Sequence, residues 1–548
     1  MKLNIKPLIS FLVLLILLIG IQSIYNPLFL WEELTFHFEL LDLRGIAKGT
    51  IFLATYLLAI LTILIFIGLR SSKLFILFLF LSFIFLSMDF FVQLLGVSHG
   101  FSMDEYALSV NEAGNFKYLK AYMENIIKSI IFSLLVITIF YLIRKKFLKK
   151  RFSNLYLIIV LLFMTIIYGA CKKVDTYKLS NYPAMIKIPA IAVRYLQNSK
   201  PIIRRELNST IAPTKKPQFK NIVWIIDESI VGSYLSLNGY DKNTTPYLDK
   251  LNNENKNFFN FGIVNSISNC SSTSNLFLRI GLNPKKHFNV ENEMYTLPTI
   301  FQYAKKAGYT TWLMDSQTKE NHLQNYLTLY DKESIDYFKT LGPDIDRIDR
   351  DKFFLNEATT ILNNKQKGNN FIVLVKYGAH FPYLLTYDLK NSPFQPIMDV
   401  SYGGMDLEHK EQQMNTYLNS IHFNTDMYLK ELVEKVDLSD SVVFYTSDHG
   451  QNILETPNLT RTHCNSETVV KHEVSVPLMV FQKEAKKTFK TDKKLFYSQI
   501  QLFPTTLALF GYSDTIVNKY GKTLLNGYKT SQEREYILSS SGEKKVYK

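Results

Sequence analysis

Five apolar runs crowd into the first 171 residues of this 548-residue chain: Leu8–Ile24, Ile51–Leu69, Leu74–Gly96, Ile126–Ile143 and Leu155–Cys171. Each has the length, about 17–23 residues, that a helix needs to cross roughly 30 Å of hydrocarbon. A single run of this kind would suit a buried core helix, but five in succession point to a multi-pass membrane segment. Lys2 and Lys6 precede the first run, as in a secretory signal. Yet Gln22-Ser23-Ile24-Tyr25 offers no small-x-small cleavage site, and four further runs follow. The mean hydropathy of +0.01 therefore averages an oily first part with an ordinary globular remainder.

The net charge of +14 invites a nucleic-acid or membrane-surface reading. Its distribution decides between them. Lys2 and Lys6, the turn Arg70-Ser71-Ser72-Lys73, and the turn from Arg144 to Arg151 lie on one side of the expected spans. The loops on the other side carry Glu32, Glu33, Glu39, Asp42, Asp104 and Glu105. The excess of Lys and Arg on cytoplasmic loops then places the N-terminus inside and everything after Cys171 outside. Much of the positive charge is a topology signal, and nucleic acid is not an expected partner. Asp89, inside the third run, reads either as a functional carboxylate or as one snorkelling to the interface. With 47% hydrophobic residues, 23 Gly, 17 Pro and three Cys, neither a disordered chain nor a disulfide framework is expected.

The expected organisation is a membrane domain over 1–171, a linker over 172–217 and a catalytic domain over 218–548. The linker holds Ile186–Leu196, which reads as a short helix lying on the membrane. Beyond it, short apolar strands alternate with amphipathic helices. Asn221–Ile226, Thr310–Met314, Phe371–Tyr377, Val442–Thr446 and Pro477–Phe481 read as strands. Pro298–Lys306, Phe353–Leu362, Glu411–Val436 and Gln499–Leu509 read as helices. This alternation predicts an α/β domain with a mostly parallel sheet between helices.

Chemistry-bearing residues follow the strands directly. Asp227-Glu228 ends the first, Gly378-Ala379-His380 follows the third, and Ser447-Asp448-His449-Gly450 follows the fourth. Ligand crevices in such sheets lie at the carboxyl ends of the strands, so these groups should converge. Carboxylates with imidazole suit zinc, or manganese if oxygen ligands dominate. A nucleophile is sought in the hydroxyl-rich stretch Ser266–Asn275, where a helix start and an adjacent metal would lower a hydroxyl pKa. Cys270 and Cys464 each sit beside a candidate active-site residue, close enough in that arrangement to bridge in an oxidising compartment.

Several motifs in this order resemble those of bacterial phosphoethanolamine transferases, membrane-anchored members of the alkaline-phosphatase/sulfatase superfamily. They are Glu228 at a strand end, Asn238-Gly239-Tyr240, Thr244-Thr245-Pro246-Tyr247-Leu248, the Cys270–Ser274 stretch, and Ser447-Asp448-His449-Gly450 with Glu455. Enzymes of this kind carry five N-terminal spans and an external sulfatase-like domain, so the resemblance covers nearly the whole chain. It implies transfer of phosphoethanolamine from phosphatidylethanolamine to a surface glycan or lipid A of the lipopolysaccharide, through a covalent Ser/Thr intermediate. It implies a zinc site of Glu228, Ser274, Asp448 and His449, with Ser274, four residues after Cys270, as nucleophile and Thr273 beside it. His380 and His463 match two further catalytic histidines that serve substrate or a second metal ion. Gln317 and Lys319 fall where the family has polar substrate contacts. The implied setting is a monomer in the inner membrane with its catalytic domain in the periplasm. Lipid A-modifying members usually have Thr as nucleophile and many external Cys, whereas this chain has Ser and only Cys270 and Cys464 there, which leaves the acceptor open. The rival readings are a glycerol-phosphate transferase of the lipoteichoic-acid-synthase type and a sulfatase-like hydrolase.

Overall fold

A computed structural model divides the chain into two compact units, Met1–Lys200 and Pro201–Lys548. In the first it describes residues 43–94, 123–148, 151–172 and 182–198, with five scattered positions between 9 and 16. In the second it describes 205–254, 258–287, 290–319, 323–342, 345–364, 368–399, 407–456, 462–465, 470–483, 489, 491, 496–526, 534–537 and 544–547.

The first unit contains helices α1 (Leu43–Gly68), α2 (Ser72–Leu94), α3 (Met123–Leu142), α4 (Tyr156–Lys172) and α5 (Ala184–Asn198). Three stretches, Thr50–Gly68, Ser72–Leu94 and Met123–Lys146, are long and apolar enough to cross a membrane. They coincide with three of the five expected runs. Helix α4, at the fifth, has 17 residues, and its apolar part, Tyr156–Gly169, is shorter than those three stretches. The first run and the acidic loops lie outside the described residues, apart from helical positions at 9, 12, 13, 15 and 16. Helix α2 is apolar on every side: it buries Phe75, Phe78 and Phe90 while exposing Ile76, Leu77 and Phe80. That is the pattern of a helix whose outer face meets lipid rather than water.

The two basic turns come together at one end of this unit. Arg144 Nη1 donates to the Ile67 and Leu69 carbonyls, both at 2.7 Å, and its guanidinium lies 4.1 Å from the Phe75 ring centroid. Arg70 N donates to Phe152 O and Phe152 N to Gly68 O, each at 2.8 Å. Helix α5 covers the expected short helix Ile186–Leu196. It buries Ile186, Ile188 and Ile191 in the same core as α1 and α2, within the first of the two units. Lys187 is wholly buried in that core and is paired there, its Nζ 2.6 Å from Asp89 Oδ1. Asp89 is therefore an ion-pair partner, not a snorkelling carboxylate, and Gln93 Nε2 donates to its other oxygen at 3.2 Å.

The second unit is built on a seven-stranded sheet of order β2-β7-β6-β1-β5-β3-β4. The strands are β1 (Asn221–Asp227), β2 (Phe258–Asn265), β3 (Thr310–Lys319), β4 (Tyr337–Leu341), β5 (Asn370–Val375), β6 (Ser441–Ser447) and β7 (Ser475–Gln482). Neighbours from β6 to β4 run parallel, and β7 alone is reversed, antiparallel to both β6 and β2. All seven residues of β1 are buried, as expected for a central strand covered on both faces. Trp224 anchors one layer, stacking edge-on against Phe371 and donating from Nε1 to Thr506 Oγ1 at 3.0 Å. Strands β2 and β4 were not read from the sequence. Both are outermost, and their mixed burial hides the apolar run that marks an inner strand. The expected helix Glu411–Val436 is present as Lys410–Ile421 and Tyr428–Lys435, joined by a wider turn over His422–Met427.

Candidate metal centre

Strand β1 lies between β5 and β6, and Asp227 pairs in register with Ser447. The chain therefore leaves β1 and β6 side by side, bringing Glu228 against Asp448 and His449. Ligand atoms of these three buried residues lie within 4.8 Å of one another. His449 Nε2 is 3.5 Å from Glu228 Oε1 and 3.6 Å from Asp448 Oδ2. His449 Nδ1 is 2.6 Å from the Gly450 carbonyl, which can only accept. Nδ1 must then carry the proton, leaving the Nε2 lone pair aimed at the carboxylates. Gly450 is required here, since a Cβ on it would stand 2.0 Å from the His472 carbonyl oxygen.

Ser229, which the sequence reading passed over, completes the turn after β1 at φ 64°, in the left-handed region. Its N–H donates to Asp448 Oδ1 at 3.1 Å and its hydroxyl to Glu228 Oε1 at 2.5 Å. Asp448 Oδ2 is buried and accepts no hydrogen bond among the described residues. Burial, and secondarily the Glu228 charge, pushes the Asp448 carboxyl up to about 8. Burial also raises Glu228, against the hydrogen bonds it receives.

The hydroxyl that joins this cluster is Ser271. Helix α6 (Ser271–Ile280) starts at that residue, after Cys270 in extended conformation. Ser271 Oγ is 2.9 Å from His449 Nε2 and 3.3 and 3.4 Å from the Glu228 oxygens. Ser274 is not brought to the cluster. It is fully buried one turn further along, and its hydroxyl donates to Ser268 O at 2.9 Å. Thr273 is likewise buried, 2.7 Å from Ser268 Oγ. The signal available in sequence was the position of Ser271, the first hydroxyl after Cys270 and thus the one at the helix start.

Four of the six separations among these residues, those of His449 from the other three and of Ser271 from Glu228, suit a tetrahedral ion. Ligands at about 2.0–2.1 Å from zinc lie roughly 3.3 Å from one another, and the distances here run from 2.9 to 3.6 Å. An orphaned buried carboxylate oxygen, a neutral imidazole nitrogen and a hydroxyl facing one point form a donor set that fits such an ion.

The remaining candidates are spread around this cluster. His463 stacks on His449 with ring centroids 4.3 Å apart, its Nδ1 3.0 Å from Thr462 Oγ1. His380 stacks on Tyr377, its Nδ1 2.8 Å from the Phe381 carbonyl. It follows Gly378 at φ 50°, whose close approach to Asp227 and Glu228 leaves no room for a Cβ. Gln317 contacts the cluster itself, donating from Nε2 to Glu228 Oε2 at 2.8 Å. Lys319 ends β3. Glu455 lies apart from the three ligands, bonded to the Tyr234 hydroxyl and the Ile453 N–H. Cys270 and Cys464 are bridged, with Cα atoms 4.9 Å apart, which ties the start of α6 to the segment carrying His463.

The sulfatase family model matches residues 220–512. Among curated relatives, the Kdo(2)-lipid A phosphoethanolamine 7''-transferase of Escherichia coli K12 is 25% identical over 334 residues, 56% of this chain and 55% of that protein. The phosphoethanolamine transferase EptC of the same organism is 24% identical over 304 residues, 54% of this chain and 51% of that protein. The chain thus spans about half the length of the curated relatives it matches. Among solved structures, the integral membrane lipooligosaccharide phosphoethanolamine transferase A of Neisseria meningitidis shares the fold at a TM-score of 0.53 and 15% identity, over 94% of this chain and 99% of that one. With the family model covering more than half of its length, and a fold to match, this chain belongs to the sulfatase family.

Proposed function

We propose that this chain is a zinc-dependent phosphoethanolamine transferase of the bacterial inner membrane, with its catalytic domain in the periplasm. The observation that carries the reading is Ser271 Oγ lying within 2.9–3.4 Å of His449 and Glu228, with the unpartnered oxygen of Asp448 3.6 Å from the same His449 nitrogen. The names of the curated relatives support phosphoethanolamine as the group transferred. Glu228, Asp448, His449 and Ser271 would hold zinc. When bound there, zinc lowers the pKa of the hydroxyl and neutralises charge on the phosphoryl oxygens.

Ser271 Oγ, at the positive end of α6 and already without its proton, attacks the phosphorus of phosphatidylethanolamine as an alkoxide, the form in which the second displacement releases it. The bond to the glycerol oxygen breaks, and diacylglycerol leaves with a proton supplied by His380 or His463, imidazole being the side chain suited to such a transfer. An acceptor oxygen on lipid A or a surface glycan then displaces Ser271 Oγ, giving its proton back to the same imidazole. Ser229 and Gln317 keep the Glu228 carboxylate in place throughout. Ser274 supports the start of α6 from within and takes no part in the chemistry. The two basic turns at one end of the first unit support a cytoplasmic placement of that end.

The test is direct. Purified full-length protein is mixed with phosphatidylethanolamine labelled in its head group, and the peptide containing residues 270–275 is analysed by mass spectrometry. Surface lipids and glycans of cells with and without the gene are compared in parallel. A phosphoethanolamine adduct on Ser271, with one surface species gaining the same mass, is the expected result. A glycerol-phosphate adduct formed when phosphatidylglycerol is supplied instead, or release of the group only to water, would favour a synthase or a hydrolase.

A further inference from the structure

We infer that Gln317 is a positioning residue for the metal ligand Glu228, rather than a contact to substrate. The inference deepens the functional reading above and rests on it for the identity of the ion.

Three features aim this side chain. First, β3 bulges where it passes β4: Asp315 pairs with Thr340, but Leu341 next pairs with Lys319. Ser316, Gln317 and Thr318 are therefore lifted out of the ladder, and a bulge of this kind redirects a side chain toward a site. Secondly, Asp315 Oδ1 accepts from the Gln317 N–H at 2.9 Å, which holds the bulge closed. Thirdly, the orientation of the Gln317 amide is dictated from outside. Gln324 Nε2 donates to both oxygens of buried Asp315, at 3.1 and 2.9 Å, and to Gln317 Oε1 at 3.1 Å.

A carboxylate can only accept, so the Gln324 group facing it must be its NH₂. That NH₂ in turn requires the oxygen of Gln317 to face it. Gln317 is left with its own NH₂ toward the site, and both hydrogens are used: one on Glu228 Oε2 and one on the Lys376 carbonyl, each at 2.8 Å. The opposite orientation would set an amide oxygen against the Glu228 carboxylate. The line from Asp315 through Gln324 and Gln317 thus presents a donor to one oxygen of Glu228, while Ser229 holds the other. An outer partner of a metal-binding carboxylate fixes the direction of its lone pairs, and its loss commonly weakens metal binding 10–100-fold.

The experiment uses full-length protein in detergent, titrated with Zn²⁺ alone against a chromophoric chelator. Gln317→Met keeps the length of the side chain and removes the donor. Its zinc affinity should fall roughly 10–100-fold. Its kcat should drop at limiting zinc and recover at saturating zinc, with KM for phosphatidylethanolamine within about twofold of the parent. Gln324→Met, which frees the Gln317 amide to turn, should weaken zinc binding several-fold and serves if the first variant does not fold. Unchanged zinc affinity in these variants, with a raised KM, would make Gln317 a substrate contact and overturn the inference. A parent protein that binds zinc and transfers nothing would sink the transferase reading while leaving this one standing.

Discussion

Ser271→Ala and Ser274→Ala should behave as opposites, although the two serines lie one helical turn apart. Removing an activated hydroxyl nucleophile costs on the order of 10⁶-fold in kcat, so Ser271→Ala should form no adduct and no product. Ser271 is half-buried and bonds only within the ligand cluster and at the helix start, so the fold should tolerate its loss. Ser274→Ala removes one buried hydrogen bond of 2.9 Å to Ser268 O. That carbonyl still accepts from Ser266 Oγ at 2.7 Å, so nothing is left unsatisfied and the cost is about 1 kcal/mol. For a domain of this size that lowers Tm by about 1–2 °C, with transfer largely retained. The assay pairs single-turnover adduct formation, read by peptide mass, with thermal melts of both variants. An adduct on Ser274 or Thr273, or full activity in Ser271→Ala, would refute the assignment.

Other perturbations test other parts of the molecule. Breaking the buried Asp89–Lys187 pair with Asp89→Leu or Lys187→Met should each cost about 3–5 kcal/mol, and the double variant should recover most of that; melts in detergent read the cycle. Reducing the Cys270–Cys464 bridge, whose partners are 194 residues apart, should cost up to about 5 kcal/mol by the chain-entropy estimate. Intact mass after alkylation, with and without reductant, checks that the bridge is formed. Burial raises the Asp315 carboxyl to about 6, against the hydrogen bonds from Gln317 and Gln324. The fold thus keeps this proton to a higher pH than the unfolded chain does. The stability it contributes is complete below about 3.8 and is lost as pH rises to about 6, on the order of 3 kcal/mol. Asp315→Asn should flatten that part of the stability–pH curve, and an unchanged slope would show that the carboxyl is not raised.

The sequence alone carried the two-part organisation, because the length of an apolar run is set by bilayer thickness and needs no tertiary context. It also carried Glu228, Asp448 and His449, since a ligand placed directly after a buried strand leaves a local mark: an apolar run ending in a charged residue. The hydroxyl was a different matter. Ser271 and Ser274 differ by 300° of helical rotation and about 4.5 Å of rise, so they share a face and no periodicity separates them. Only the docking of α6 against the ends of β1 and β6 decides which of the two reaches the ligands. The same holds for Gln317, whose residue type suits substrate or ligand equally until the bulge in β3 and the Gln324–Asp315 contact aim it. Asp89 and Lys187 stand 98 positions apart in the chain, and neither carries a mark of the other. Their pairing exists only because α5 folds back into the helical core, where a buried ammonium without a carboxylate would be far too costly to keep.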